Sequence, residues 1–290
     1  MAPLPKFRVT PSNPFVHTGL DYAGPLMVTR GAQKRYILLF TCGSTRAIHL
    51  ELTRSTSYKD FNLAFTRLIF RIGKPTIVYS DNAKTFIQAA EELKSRNVDW
   101  KFITTRAPWH GAIWERLVKT YKEPLRKTLG MAVLNEIELS TVLTQIEAII
   151  NEGPLTAMVE DDQLKTITPS LLLNGRSLSH IYEEELGFEP TKRLKYLQLL
   201  KDTFWTSWKK NYLPSLMSRS KWKRPGSTLL QEEDILLLSK ENKRRHHSPL
   251  GKIVKTIPGR DGLTRSIQVL VEGNIITRPI QHAVLLARNE

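Results

Sequence analysis

Apolar positions in the first half of the chain follow two periods, and the changes of period mark out the elements. A strand is predicted around Phe15 to Tyr22. Tyr36 to Cys42 forms a nearly unbroken apolar run, and Arg46 to Leu52 alternates through Ala47, His49 and Glu51, which predicts a second and a third strand. Ala23-Gly24-Pro25 and Gly43-Ser44 are turn signals between them. The spacing then becomes helical, with Phe61, Ala64, Phe65, Leu68, Ile69 and Ile72 repeating over Ser57 to Ile72. Ser57 and Asp60 suit the first turn, and Gly73 the end. Pro75 opens a short fourth strand, Thr76 to Tyr79, with Asp81 at its end. A helix over Ala83 to Arg96, a fifth strand over Val98 to Thr104 and a loop from Thr105 to Gly111 follow. Two more helices are predicted, Ala112 to Leu129 and Asn135 to Glu152. Strands interleaved with helices in this order predict an α/β fold.

The second half reads differently. Residues 154 to 192, with Leu171, Leu172, Leu173 and the acidic Glu183-Glu184-Glu185, predict a partly structured connector. Lys192 to Tyr212 returns to helical spacing, with Leu197, Leu200, Phe204, Trp205 and Trp208 on its apolar side. Large aromatics at that spacing are expected to pack rather than to bind. Four short strands, Asp234 to Leu238, Lys252 to Ile257, Ser266 to Val271 and Ile275 to Thr277, are separated by Gly-containing turns and predict a small β-barrel. A chain of 290 residues has room for two cores.

Charge separates the halves further. The chain carries 43 Lys and Arg against 28 Asp and Glu, a net +15, and its pI is about 9.9. Residues 1–189 hold 23 basic and 20 acidic groups, whereas residues 190–290 hold 20 and 8. The surplus lies in the C-terminal third and points to a polyanionic partner such as DNA. Lys240, Lys243, Arg244, Arg245, His246 and His247 form its densest run, equally readable as a phosphate-facing loop or as a solvated surface. One cysteine, Cys42, excludes an intrachain disulfide and any zinc site built on several thiolates. It is expected in the core of a protein in a reducing, intracellular compartment. No apolar run approaches the ~20 residues a membrane span needs, and the first residues lack a signal peptide's apolar stretch.

Three acids stand in settings that suggest chemistry. Asp21 lies on the first strand, Asp81 at the end of the fourth, and Glu115 on the helix after the fifth. Carboxylates are the hard oxygen ligands that Mg²⁺ or Mn²⁺ prefers, and two such ions can clamp the attacking and leaving oxygens of a phosphodiester. Glu115, Lys119, Lys122 and Arg126 share one helical face, a carboxylate followed by a cationic rail. For the spacing by itself, an ordinary solvated Glu–Lys pairing is the better reading.

The order of these placements is that of RNase-H-like nucleotidyl transferases, and the motifs are more specific still. Pro14-Phe15-Val16-His17-Thr18-Gly19-Leu20-Asp21-Tyr22, Ser80-Asp81-Asn82-Ala83-Lys84-Thr85-Phe86, Pro108-Trp109-His110-Gly111 through Glu115-Arg116, and Ser248-Pro249-Leu250-Gly251-Lys252 resemble the integrase of BEL/Pao-type retrotransposons, within the retroviral-type integrase superfamily. The resemblance implies an RNase-H-like catalytic core over residues 1–175, a helical linker over 176–225 and an SH3-like DNA-binding domain over 226–290. It implies two Mg²⁺ or Mn²⁺ ions held by Asp21, Asp81 and Glu115. The implied reactions are trimming of element 3′ ends and attack of the freed 3′-OH on target DNA. Lys119 and Lys122 would position element DNA, and Asn82 and His110 would orient ligands. Arg126, Lys243, Arg244 and Arg245 are further DNA contacts expected from their charge. A homo-oligomer acting in the nucleus, with DNA as partner and no membrane, completes the expectation.

Ser248 stands where the family usually carries an aromatic, and Glu152-Gly153 where it carries an Arg-bearing pattern. The family's zinc-binding N-terminal domain is not represented in these residues, which is expected of a polyprotein fragment or a degraded copy. Two alternatives stay open: a DNA-binding or assembly relic that kept the fold, and a nuclease that hydrolyses without joining.

Overall fold

A computed structural model describes residues 7, 10–28, 33–102, 108–130, 132–160, 163–177, 191–216, 230–238, 249–258 and 264–288; at 108–117, 119, 160, 214, 215 and 282 it describes the backbone alone. No described helix is long and apolar enough to cross a membrane. Contacts divide the chain into two units, residues 1–152 with 169–208, and residues 153–168 with 209–290.

The first unit is built on a five-stranded mixed sheet. Its strands are β1 (His17–Val28), β2 (Gln33–Cys42), β3 (Ile48–Thr53), β4 (Ile77–Ser80) and β5 (Asp99–Phe102), in the order β3-β2-β1-β4-β5. β1 to β3 form an antiparallel meander, whereas β4 and β5 join parallel on the other side of β1. Helix α1 (Tyr58–Ile72) makes the crossover from β3 to β4, and α2 (Lys84–Lys94) that from β4 to β5. The predicted signals sit at the ends of α1: Ser57 accepts the Asp60 N–H, and Gly73, at φ 124°, closes the helix.

Strand alternation divides the sheet's side chains between two faces. Leu20, Leu38, Phe40, Cys42 and Val78 meet Phe61, Phe65 and Leu68 of α1 and Phe86, Ala89 and Leu93 of α2 in one core. Cys42 is in that core as expected, its sulfur taking the Phe15 N–H at 3.1 Å. Ile37 and Leu39, also buried, point to the other face. Helix α3 (Pro108–Leu129) packs there on β1 and β2, and α4 (Glu136–Asn151) packs on β3.

Two local expectations change. Ala23-Gly24-Pro25 makes a bulge inside β1 rather than ending the strand. Gly24 takes φ 125°, a Cβ there would crowd the Arg35 carbonyl, and Pro25 has no N–H to contribute to the ladder. α3 begins at Pro108 instead of Ala112, because proline's fixed φ and missing N–H suit the first helical position.

β3 is an edge strand, and α4 serves its open side. Asn151 Oδ1 accepts the Ile48 N–H at 2.8 Å while its Nδ2 donates to the Ile48 carbonyl at 2.9 Å. The Glu147 carboxylate accepts the Leu50 N–H at 2.7 Å. His49 and Glu51, read from sequence only as alternation, are buried in the same region. Arg67 and Arg71 of α1 bind the Glu51 carboxylate, and His49 lies between Glu51 (3.0 Å) and Glu147 (3.2 Å). For Glu51, burial pushes the carboxyl up, but His49 and Arg67 overrule it and hold it below the usual range. For His49, burial favours the neutral ring, but the bonds and charges of Glu147 and Glu51 prevail and raise its pKa to about 9.

The second unit holds a five-stranded antiparallel sheet of β8 (Ile235–Leu238), β9 (Leu250–Pro258), β10 (Thr264–Val271), β11 (Asn274–Pro279) and β12 (Ala283–Ala287). The order β11-β10-β9-β8-β12 leaves β11 and β12 at opposite edges. The described strands therefore form an open sheet and not the closed barrel expected from sequence. Its core is Leu236, Leu238, Ile253, Ile267, Val269, Val271 and Ala283. The Pro249-Leu250-Gly251 motif has a steric basis here, since a Cβ on Gly251 would run into the Val269 side chain. The stretch read as a connector contributes a hairpin, β6 (Thr156–Glu160) with β7 (Gln163–Ile167), to this unit. Thr156 donates to the Leu286 carbonyl at 3.0 Å, and the Tyr212 hydroxyl donates to the Pro154 carbonyl at 2.7 Å. Back in the first unit are the short helix α5 (Pro169–Asn174) and most of α6 (Lys192–Leu216). In α6, Phe204 and Trp208 are buried as packing residues and Trp205 is half-buried.

Two outcomes are expected. Asn151→Ala leaves the buried N–H and carbonyl of Ile48 without partners and should cost about 2–4 kcal/mol, read from urea denaturation midpoints. Because the pKa of His49 is raised on folding, its contribution is complete below about pH 6.5 and is lost as pH rises through about 9. Stability should fall across that window in the wild type and less steeply in His49→Gln.

Candidate metal centre

Strand register brings the first two acids together. β1 and β4 run parallel with His17 opposite Ile77, Thr18 opposite Val78 and Gly19 opposite Tyr79. Two residues further on are Asp21, still within β1 and on the face carrying Gly19, and Asp81, the first residue after β4. The two carboxylates are close enough for the charge of Asp81 to act on Asp21. This is also where the strand order reverses direction, between the β1-β2-β3 meander and the β4-β5 pair. At such a switch point, chain segments diverge beyond the strand ends and leave a crevice.

Each acid is anchored differently. Asp81 follows directly on β4 and precedes α2, is exposed, and accepts the Ala83 N–H at 3.1 Å. The N-terminus of a helix favours a negative charge there. Its backbone is fixed by the fully buried Ser80, which accepts from Trp100 Nε1 at 2.9 Å and donates to the Asp81 carbonyl at 2.8 Å. That pin was not foreseen from sequence; Trp100 on a predicted strand carried no sign of its partner. Asp21 lies within β1, with Oδ1 accepting the Tyr22 N–H at 2.7 Å. Burial pushes its carboxyl up, the Lys122 ammonium and the Tyr22 N–H draw it down, and Asp81 pushes it up again. The balance lies above the usual carboxylate range.

α3 spans this face of the sheet. Val118, Tyr121, Leu125 and Leu129 form its buried stripe, and Lys122 beside them reaches Asp21 Oδ2 at 2.6 Å. Glu115 precedes Lys122 by seven residues, so its backbone has nearly the same angular position about 10 Å nearer the start of α3. Lys119 lies between them on the helix, and Arg126 is exposed one turn beyond Lys122. Asp21, Asp81 and Lys122 thus come together, with Glu115 and Lys119 set on α3 by its backbone. Lys243, Arg244 and Arg245 lie outside the described residues. Among the described side chains no three His, Cys, Asp or Glu groups gather; Glu115 and His110 are not among those side chains.

The donor set suits a hard divalent cation. Asp21 and Asp81 lie near enough for their charges to interact, Asp21 is about 30% exposed, and one of its oxygens already holds a cationic group. An aromatic cluster lies along the same face, with Phe7 stacked on His17 at 4.7 Å and Tyr79 beside them.

Residues 192–286 match a family of unknown function (DUF5641), about a third of the chain. No curated protein matches. Among solved structures, the HTLV-2 integrase catalytic core domain in complex with magnesium is similar at 16% identity and TM-score 0.40, over 56% of this chain and 98% of that one. The catalytic core domain of BIV integrase gives 15% and 0.39, over 59% and 99%. The simian T-cell lymphotropic virus intasome in complex with PP2A regulatory subunit B56 gamma gives 9% and 0.43, over 96% and 81%. Likenesses this faint carry no weight about chemistry, which has to be read from the residues of this chain.

Because folding disfavours the ionised form of Asp21, metal-free Asp21→Asn should be at least as stable as the wild type by denaturation midpoint near pH 7. Mn²⁺ should raise the melting temperature of the wild type and leave that of Asp21→Asn unchanged.

Proposed function

We propose that the chain is an integrase-like polynucleotidyl transferase that binds DNA and processes and joins its 3′ ends with divalent metal ions. The observation that supports this reading is the nearness of Asp21 and Asp81 at the switch point of the sheet, together with a helix that bears Glu115 and sends Lys122 to Asp21. In this reading the three acids hold Mg²⁺ or Mn²⁺, which supplies charge stabilisation to the attacking and leaving oxygens of a phosphodiester. Asp81, fixed through Ser80 and Trp100, sets the position of the site on the sheet. Asp21 offers the more desolvated carboxylate, and the α3 cations, with Lys119 and Arg126 among them, take DNA phosphates.

Hydrolysis puts a water oxygen on phosphorus and releases a 3′-OH; joining puts that 3′-OH on a second phosphorus and releases the target's own 3′-OH. The basic C-terminal third supplies salt-dependent affinity, Lys243, Arg244 and Arg245 included. The functional division into core, linker and DNA-binding segments at 1–175, 176–225 and 226–290 belongs to this proposal. So do homo-oligomerisation and a nuclear site of action.

The decisive experiment pairs nicking with joining. Wild-type protein should nick duplex DNA with Mg²⁺ or Mn²⁺ and join an oligonucleotide carrying a recessed 3′-OH. Asp81→Asn should lose about three orders of magnitude in both while keeping salt-sensitive DNA binding. Nicking without joining would assign a nuclease, and DNA binding with no metal-dependent nicking in the wild type would assign a non-catalytic scaffold.

A further inference from the structure

The contact between Lys122 and Asp21 goes beyond positioning DNA. Oδ1 of Asp21 is committed to the Tyr22 N–H at 2.7 Å, which leaves Oδ2 as the oxygen open to a cation. Lys122 holds that oxygen at 2.6 Å, at the short end for a charge-assisted bond. Both side chains are about one-third exposed (33% and 30%), so the bond can open without unfolding anything. With the charge of Asp81 acting on the same spot, the Asp21 carboxylate favours a positive neighbour. An ammonium meets that preference with one charge. A divalent ion meets it with two and repels the ammonium from the same oxygen. Exposed Arg126 lies one turn further along α3, so a Lys122 side chain released from Asp21 joins a cationic track.

We propose that Lys122 is a place-holding cation: it occupies the metal-facing oxygen of Asp21 until a divalent ion displaces it, and the freed ammonium then takes a DNA phosphate. Metal binding and DNA binding are thereby coupled through one side chain, and the coupling is reciprocal. The inference rests on the reading of Asp21 and Asp81 as metal ligands. It differs from a fixed DNA-contacting lysine in one respect: removing the lysine should improve metal binding.

The test uses the full chain. Mn²⁺ binding is titrated calorimetrically without DNA for wild type, Lys122→Gln, Lys122→Arg and Asp21→Asn. Binding of a short DNA duplex is followed by fluorescence anisotropy with Mn²⁺ and with EDTA. Lys122→Gln should bind Mn²⁺ about three- to tenfold tighter than wild type, the size expected from losing a partly exposed competing ion pair. Mn²⁺ should strengthen DNA binding by wild type and Lys122→Arg more than by Lys122→Gln. The salt dependence of Lys122→Gln should be shallower by about one only when Mn²⁺ is present. Wild-type Mn²⁺ binding that is unchanged or weakened in Lys122→Gln overturns the place-holder and leaves the metal site standing. Equal Mn²⁺ affinity in wild type and Asp21→Asn, or none in any variant, overturns the metal reading and the place-holder with it.

Discussion

The parallel register of β1 against β4 is the constraint on which the site depends. With Gly19 opposite Tyr79, Asp21 continues along β1 close to the point where β4 ends and Asp81 begins; a slip of one residue in β1 would turn Asp21 into the core with Leu20. Register is protected on both sides. Val78 is fully buried, and Ser80 is bonded to Trp100 on the neighbouring strand, so β4 cannot slide without exposing an apolar side chain and breaking a buried bond. On the far side, the β1–β2 pairing continues past the point where β4 stops, through a bulge that absorbs one irregularity without altering the alignment of Asp21.

The sheet can hold this alignment because its weak edge is occupied. Asn151 satisfies the outward-facing N–H and carbonyl of Ile48, much as another strand would, while Glu147 takes the next N–H in line. Behind that edge the buried Glu51 is matched by two arginines and a histidine, so the carboxylate is enclosed with its acceptor capacity used. These polar devices join α1, β3 and α4, and α3 then covers the sheet face from which Lys122 reaches Asp21.

Much of this was legible in the residues. The apolar run in β2, the helical spacing and caps of α1, and the placing of Asp21 and Asp81 on their strands all follow from local rules. What escaped depends on partners distant in sequence. His49 and Glu51 look like one half of an alternating strand until Arg67, Arg71 and Glu147 arrive from two helices. Lys122 reads as one more cation on a helix face until β1 brings Asp21 beneath it. The hairpin of β6 and β7 is hard to read because its strands are only five residues long and it is tied to the second unit by a bond from Thr156 to Leu286, more than a hundred residues later. The barrel was overread, because four regularly spaced strands announce a small sheet while closure depends on which edges meet.

That hairpin makes the C-terminal unit discontinuous in sequence. The polypeptide visits it twice, first for residues 153–168 and again from 209 onward, with all of α5 and most of α6 in between. A stretch such as 192–286 taken alone would lack the hairpin whose first strand bonds to β12 through Thr156. A cut at residue 192 therefore separates the hairpin from the sheet it belongs with, and the segment 192–286 is less than the whole unit.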